Sequence, residues 1–117
     1  MTDPYYDLRE DWELVAASFQ SMYGIRLSRD LAGMKWREFS AMLAGLDHET
    51  PLGRIVSIRA ENDPKRLKEF TPEMRSIRAR WRQRRAKAMP QKNVDDFLES
   101  MKNAFISLAG GVKDGNN

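Results

Sequence analysis

TPLGRIVSIRAENDPKRLKEFTPEMRSIRARWRQRRAK, residues 50–87, contains three dipeptides that set a side-chain oxygen directly before a proline: Thr50-Pro51, Asp63-Pro64 and Thr71-Pro72. At a helix N-terminus such an oxygen accepts from a backbone N–H that has no partner inside the helix. Proline is tolerated at the first helical position because its missing N–H would be unpaired there anyway. Three helix starts in one stretch, and no useful run of period-two alternation anywhere in the chain, predict an all-α fold. The third start opens a long helix with Met74, Ile77 and Trp81 as a narrow apolar seam. It also carries Arg75, Arg78, Arg80, Arg82, Arg84, Arg85 and Lys87, so it must face water or an anionic partner rather than serve as ordinary core.

Upstream, Trp12, Val15, Ala16, Phe19 and Tyr23 recur with helical spacing, and Gly24 offers the left-handed stop that helix ends favour. Residues 25–35 read as a short connection. A second helix is expected from about Lys35 to Leu46 on a stripe of Trp36, Phe39, Leu43 and Leu46. Thr50-Pro51 then begins a third, with Leu52, Ile55, Val56 and Ile58 on its buried side. Asn62-Asp63-Pro64 ends that helix and caps a short fourth one containing Leu67 and Phe70. Beyond the cationic helix, Pro90 is the expected stop. Asn93 caps a last helix along which Val94, Phe97, Leu98, Met101, Phe105 and Leu108 keep close to 3.6-residue spacing, ended by Gly110-Gly111.

The expectation is a compact single domain of about five to six short-to-medium helices over residues 11–109. An irregular lead-in (1–10) precedes it and a flexible tail (110–117) follows. Its core should include Trp12, Phe19, Trp36, Phe39, Leu43, Ile55, Phe97, Met101 and Phe105.

The net charge of +3 conceals a segregation. Residues 1–50 hold nine acids against five bases, residues 51–92 thirteen bases against four acids, and residues 93–117 four acids against two bases. A basic centre flanked by acidic ends can pair with itself, with other copies or with an external polyanion. Without cysteine, disulfides and thiolate metal sites are excluded. No apolar run has membrane-spanning length, and the N-terminus lacks an apolar signal core, which makes the cytoplasm the expected location.

Catalytic chemistry finds few residues to rest on. His48 is the only histidine, set between Asp47 and Glu49, and a metal site would need further ligands at suitable spacing. Ser40 and Ser57 have no base in prospect other than that histidine. Asp95-Asp96 suits the first turn of a helix, where negative charge opposes the macrodipole. Gly53 stands alone and makes no phosphate loop. The sequence therefore predicts no catalytic residue, cofactor or metal.

The cationic helix is the candidate site. Arg75, Arg78, Arg82 and Arg85 share one face, and Arg80, Arg84 and Lys87 share another. Three readings stay open: pairing with the protein's own acids, docking of an acidic protein, or contact with nucleic-acid phosphates. For docking, the candidate contacts are Arg75, Arg78, Arg82 and Arg85 with Trp81, joined by Arg54 and Arg59 from the preceding helix. Trp81 itself suits core, a cation–π neighbour or an interface anchor.

Three segments carry a family resemblance. They are Tyr23-Gly24-Ile25-Arg26-Leu27, the run Trp36 to Leu46, and Thr50 to Arg59, continued by Phe70-Thr71-Pro72-Glu73, Ile77-Arg78 and Trp81-Arg82. Across roughly residues 11–108 the chain resembles small tailed-phage and prophage proteins encoded between the major tail protein and the tape-measure protein. It is similar to the C-terminal part of the "gene product fifteen" family, which is grouped with tail assembly chaperones and whose longer relatives carry a further N-terminal region. The resemblance implies a non-enzymatic protein that assists tail assembly by binding tape-measure, tail-tube or companion chaperone protein, at times as part of a frameshifted fusion. The alternatives are a DNA-associated regulator or packaging accessory, and a structural tail or head-completion component. No membrane partner is expected.

Overall fold

The computed structural model describes the backbone of residues 4–87 and 94–110, and the side chains of residues 4–87 and 98–109. The described residues form helices and no strands. In chain order these are α1 (Trp12–Tyr23), α2 (Leu27–Asp30), a 3-10 turn (Leu31–Gly33), α3 (Trp36–Ala44) and α4 (Pro51–Ala60). α5 (Pro64–Leu67), α6 (Pro72–Lys87), α7 (Val94–Phe105) and a π-helical turn (Ile106–Gly110) follow. The expected stop at Pro90, the cap at Asn93, the Phe97 side chain, Gly111 and the tail lie outside the described residues.

All three oxygen–proline pairs start helices. Thr50 Oγ1 accepts the Gly53 N–H at 3.0 Å, Asp63 Oδ1 the Lys65 N–H at 3.0 Å, and Thr71 Oγ1 the Met74 N–H at 3.1 Å. Buried Thr50 also donates to the Asp47 carbonyl at 2.8 Å, closing the turn ahead of α4. That turn lies so close to α4 that a Cβ on residue 53 would come within 2.3 Å of the Asp47 oxygen, which is why glycine stands there. Gly24, at φ 71°, ends α1 in the left-handed conformation its sequence position predicts.

The connection expected over residues 25–35 instead contains α2 and the 3-10 turn. Leu27 and Leu31, one helical turn apart, are both buried, and their burial supports an element too short to be stable alone. This extra turn brings the helix count among described residues to seven.

α4 packs against both α1 and α6. Around α1, α3 and α7 an aromatic cluster centres on Phe39, which is fully buried. Its ring centroid lies 5.2 Å from Phe19, 5.0 Å from Phe105 and 6.2 Å from each of Trp12 and Trp36. Of the expected core, Phe19, Phe39, Leu43 and Phe105 are buried, while Trp12, Trp36, Ile55 and Met101 are half-buried. Leu8 joins the core from the irregular segment before α1, and Asp7 Oδ1 holds that segment by accepting the N–H groups of Arg9 and Glu10.

Side chains of α1 also complete the ends of its neighbours. Ser18, with no exposed surface, accepts the Leu52 N–H at 2.9 Å in the first turn of α4 and donates to the Leu14 carbonyl at 2.7 Å. The Tyr23 hydroxyl donates to the Met42 carbonyl at 2.7 Å in the last turn of α3. Helix ends carry unpaired donors and acceptors, so these bonds fix the helices relative to one another as well as satisfying them.

The two faces of helix α6

Two arginines of α6 satisfy the C-terminus of α4. Arg78 Nε donates to the Glu61 carbonyl at 2.8 Å, and an Arg82 Nη2 N–H donates to the Arg59 carbonyl at 3.0 Å. Both guanidinium groups also reach Asn62 Oδ1, each at 3.1 Å. Carbonyls at a helix C-terminus lack intrahelical partners and form the negative end of the macrodipole, so a cation there is favoured twice. Arg75, one turn earlier, donates to the Lys68 carbonyl at 3.3 Å.

Between these arginines and α1 lies a buried ion pair. Arg59 Nη1 donates to Asp11 Oδ2 at 2.8 Å and Nη2 to Asp11 Oδ1 at 3.1 Å, with the side chains 11% and 6% exposed. Arg59 Nη1 also donates to the Tyr5 carbonyl at 3.0 Å. Tyr5 holds φ at 64°, a left-handed conformation uncommon for tyrosine. Burial pushes the Asp11 carboxyl up, but hydrogen bonds from Arg59 and from the Asp7 N–H outweigh it. With the charges of Arg59 and Arg84 they leave the carboxyl below its usual range.

Trp81 forms the wall beside this pair. It is 3% exposed, and the guanidinium carbons of Arg59, Arg84 and Arg85 lie 4.5, 4.7 and 5.8 Å from its ring centroid. Two of the three roles its sequence context allows, core residue and cation–π neighbour, are met by this geometry. The Nε atoms of Arg59 and Arg82 are buried without an acceptor. For Arg59 the indole face offsets part of that cost.

The other face of α6 opens outward. Leu14, Ile55 and Ile77, all half-buried, line the base of a groove of about 530 Å³ together with Trp81. Exposed Arg80, Arg84 and Lys87 line its mouth, and among the described residues no Asp or Glu does. Arg80 gives one N–H to Ser76 at 2.9 Å, and Arg84 makes an exposed contact of 3.4 Å with Glu10.

The candidate residues therefore fall into different surroundings. Arg59 and Trp81 sit inside, Arg78 and Arg82 are half-buried at the end of α4, and Arg54 and Arg75 are exposed. Arg85 lines a smaller cavity of about 170 Å³ with Tyr6, Leu8 and Met101. Asp11, Asn62 and the outward trio carry more of the geometry than sequence spacing assigned to them. Helical spacing did separate the trio as a second face. His48 is exposed in its turn, and among the described residues no group of three His, Cys, Asp or Glu side chains could hold a metal ion. Nor is any described helix long and apolar enough to cross a membrane.

A small all-helical protein with one strongly cationic helix is the class that the fold and this surface define. Over residues 1–83 the chain matches the family model described as Bacteriophage Gp15 protein, and it belongs to that family. The match begins ahead of residue 11, where the resemblance of the motifs began, and ends within α6 rather than at residue 108. It takes in Asp11, Ser18, Arg59, Arg78, Trp81 and Arg82. No curated protein matches the chain, and no solved structure does.

Proposed function

We propose that this phage protein assists tail assembly without enzymatic chemistry, by binding a tape-measure, tail-tube or companion assembly protein in the host cytoplasm. The family match over residues 1–83 carries the reading, and the outward face of α6 supplies a surface suited to it. Before assembly, a long helix-rich tail protein exposes apolar seams that favour aggregation. A small helical partner protects such a seam by laying it in a groove.

The density of arginine on α6 favours a second reading, contact with DNA. Part of that charge is already committed, since Arg78 and Arg82 are turned onto α4. Capture experiments with the three tail proteins, run beside a duplex-DNA titration at two salt concentrations, test the proposal. Capture of a tail protein with weak, strongly salt-dependent DNA binding is the expected result. Tight DNA binding with no capture would replace it by the DNA reading. Retention of the protein in purified particles would favour a structural tail component instead.

A further inference from the structure

We infer that the groove between α1, α4 and α6 receives an acidic amphipathic helix of a protein partner, a deepening that rests on the protein-binding reading above. Leu14, Ile55, Ile77 and Trp81 give its inner lining an apolar surface, interrupted by the paired Arg59, and its mouth is cationic. Arg80, Arg84 and Lys87 follow one another at steps of four and three, which spaces them over roughly 10 Å of helix. Carboxylates spaced four and three residues apart on a second helix match that ladder while its apolar face turns toward the base. Among the described residues no Asp or Glu lines the groove, and Glu10, against Arg84, is an acid that a partner's carboxylate has to displace.

At one of the three cations a carboxylate of this chain is already present. Glu10 stands 3.4 Å from Arg84, both side chains being largely exposed at 61% and 42%. An exposed pair of this kind contributes only about 0–1 kcal/mol, so a partner's carboxylate exchanges for Glu10 at little cost. Nucleic acid fits less well. Phosphates satisfy the three cations but leave the Leu14, Ile55 and Ile77 surfaces in water.

The test uses the full chain and a synthetic peptide of about 18 residues, with Leu at helical spacing on one face, Glu at steps of four and three beside it, and Ala elsewhere to favour helix. A second peptide has the same composition with its leucines dispersed. The patterned peptide should bind and shift the NMR signals of the Leu14, Ile55 and Ile77 methyls. The double variant Arg80→Glu/Lys87→Glu should weaken it at least about tenfold without altering the thermal midpoint. Equal binding of the dispersed peptide, or shifts confined to another surface, would overturn the inference. So would duplex DNA that displaces the patterned peptide from the same methyls.

Failure of the tail-assembly reading looks different. There the patterned peptide binds in the groove while no tail protein is captured. Capture of a tail protein at full strength by the double variant would keep that reading and remove the groove.

Discussion

Arg59 of α4 and Asp11, the residue before α1, meet in a two-pronged ion pair with oxygen–nitrogen distances of 2.8 and 3.1 Å, sealed beneath Trp81. Removing one member of a buried pair leaves the other charge uncompensated, at about 3–5 kcal/mol. Asp11→Asn should cost about that much at neutral pH, measured by urea unfolding. The acid dependence gives a sharper check. The folded-state pKa of Asp11 lies below its unfolded value of about 3.9, so the ionised form stabilises the fold above that value. This contribution disappears as pH falls through the folded pKa. The gap between wild type and Asp11→Asn should therefore begin to narrow as pH falls below about 4, and a gap that widens instead would contradict the stabilising role of the ionised carboxylate.

Ser18 should be a stronger cap than its position inside α1 suggests. Ser18→Ala strands the Leu52 N–H where water cannot reach it, at about 1–3 kcal/mol. Thr71→Ala, at an exposed cap, should lose about 0.5–1 kcal/mol, because water takes the place of the lost oxygen. Thermal melts of the two variants rank them, and a larger loss from Thr71→Ala would contradict the role given to Ser18.

Phe39→Ala removes the ring on which four other aromatic side chains converge. A loss of about 3–5 kcal/mol is expected, out of roughly 5–15 kcal/mol for a whole domain. Near-ultraviolet circular dichroism should fall along with stability, since the cluster that holds the indoles of Trp12 and Trp36 loses its centre. A variant with unchanged stability and spectrum would show that the cluster is not the core.

How much of this was legible in the sequence depends on how local each interaction is. Thr50, Asp63 and Thr71 cap from within three residues, so their placement follows from order along the chain alone. The two stripes, one with Phe19 on α1 and one with Phe39 and Leu43 on α3, are equally readable from period. Ser18 and Tyr23 act on helices 34 and 19 residues away, and nothing in the spacing around them marks that duty. Leu27 and Leu31 give too little period in so short a segment to distinguish helix from connection. For α6, spacing grouped Arg78 with Arg82, which both turn onto α4, but grouped Arg85 with them although it lines a separate cavity beside Tyr6 and Met101. It could not say which face turns toward α4, because that depends on where Glu61 and Asn62 lie after folding.

The division of labour between those faces is the central claim. It is tested most directly by the thermal midpoints of two double variants with equal charge change, Arg78→Glu/Arg82→Glu and Arg80→Glu/Lys87→Glu. Each bond from a charged group to the end of α4 contributes about 1.5–3 kcal/mol, and each kcal/mol moves the midpoint of a domain this size by roughly 4–8 °C. The first variant should therefore fall by more than about 10 °C, while the second stays within a few degrees of wild type. Equal falls, or a larger fall in the second, would contradict the assignment of an inward face that holds α4 and an outward face left free to bind.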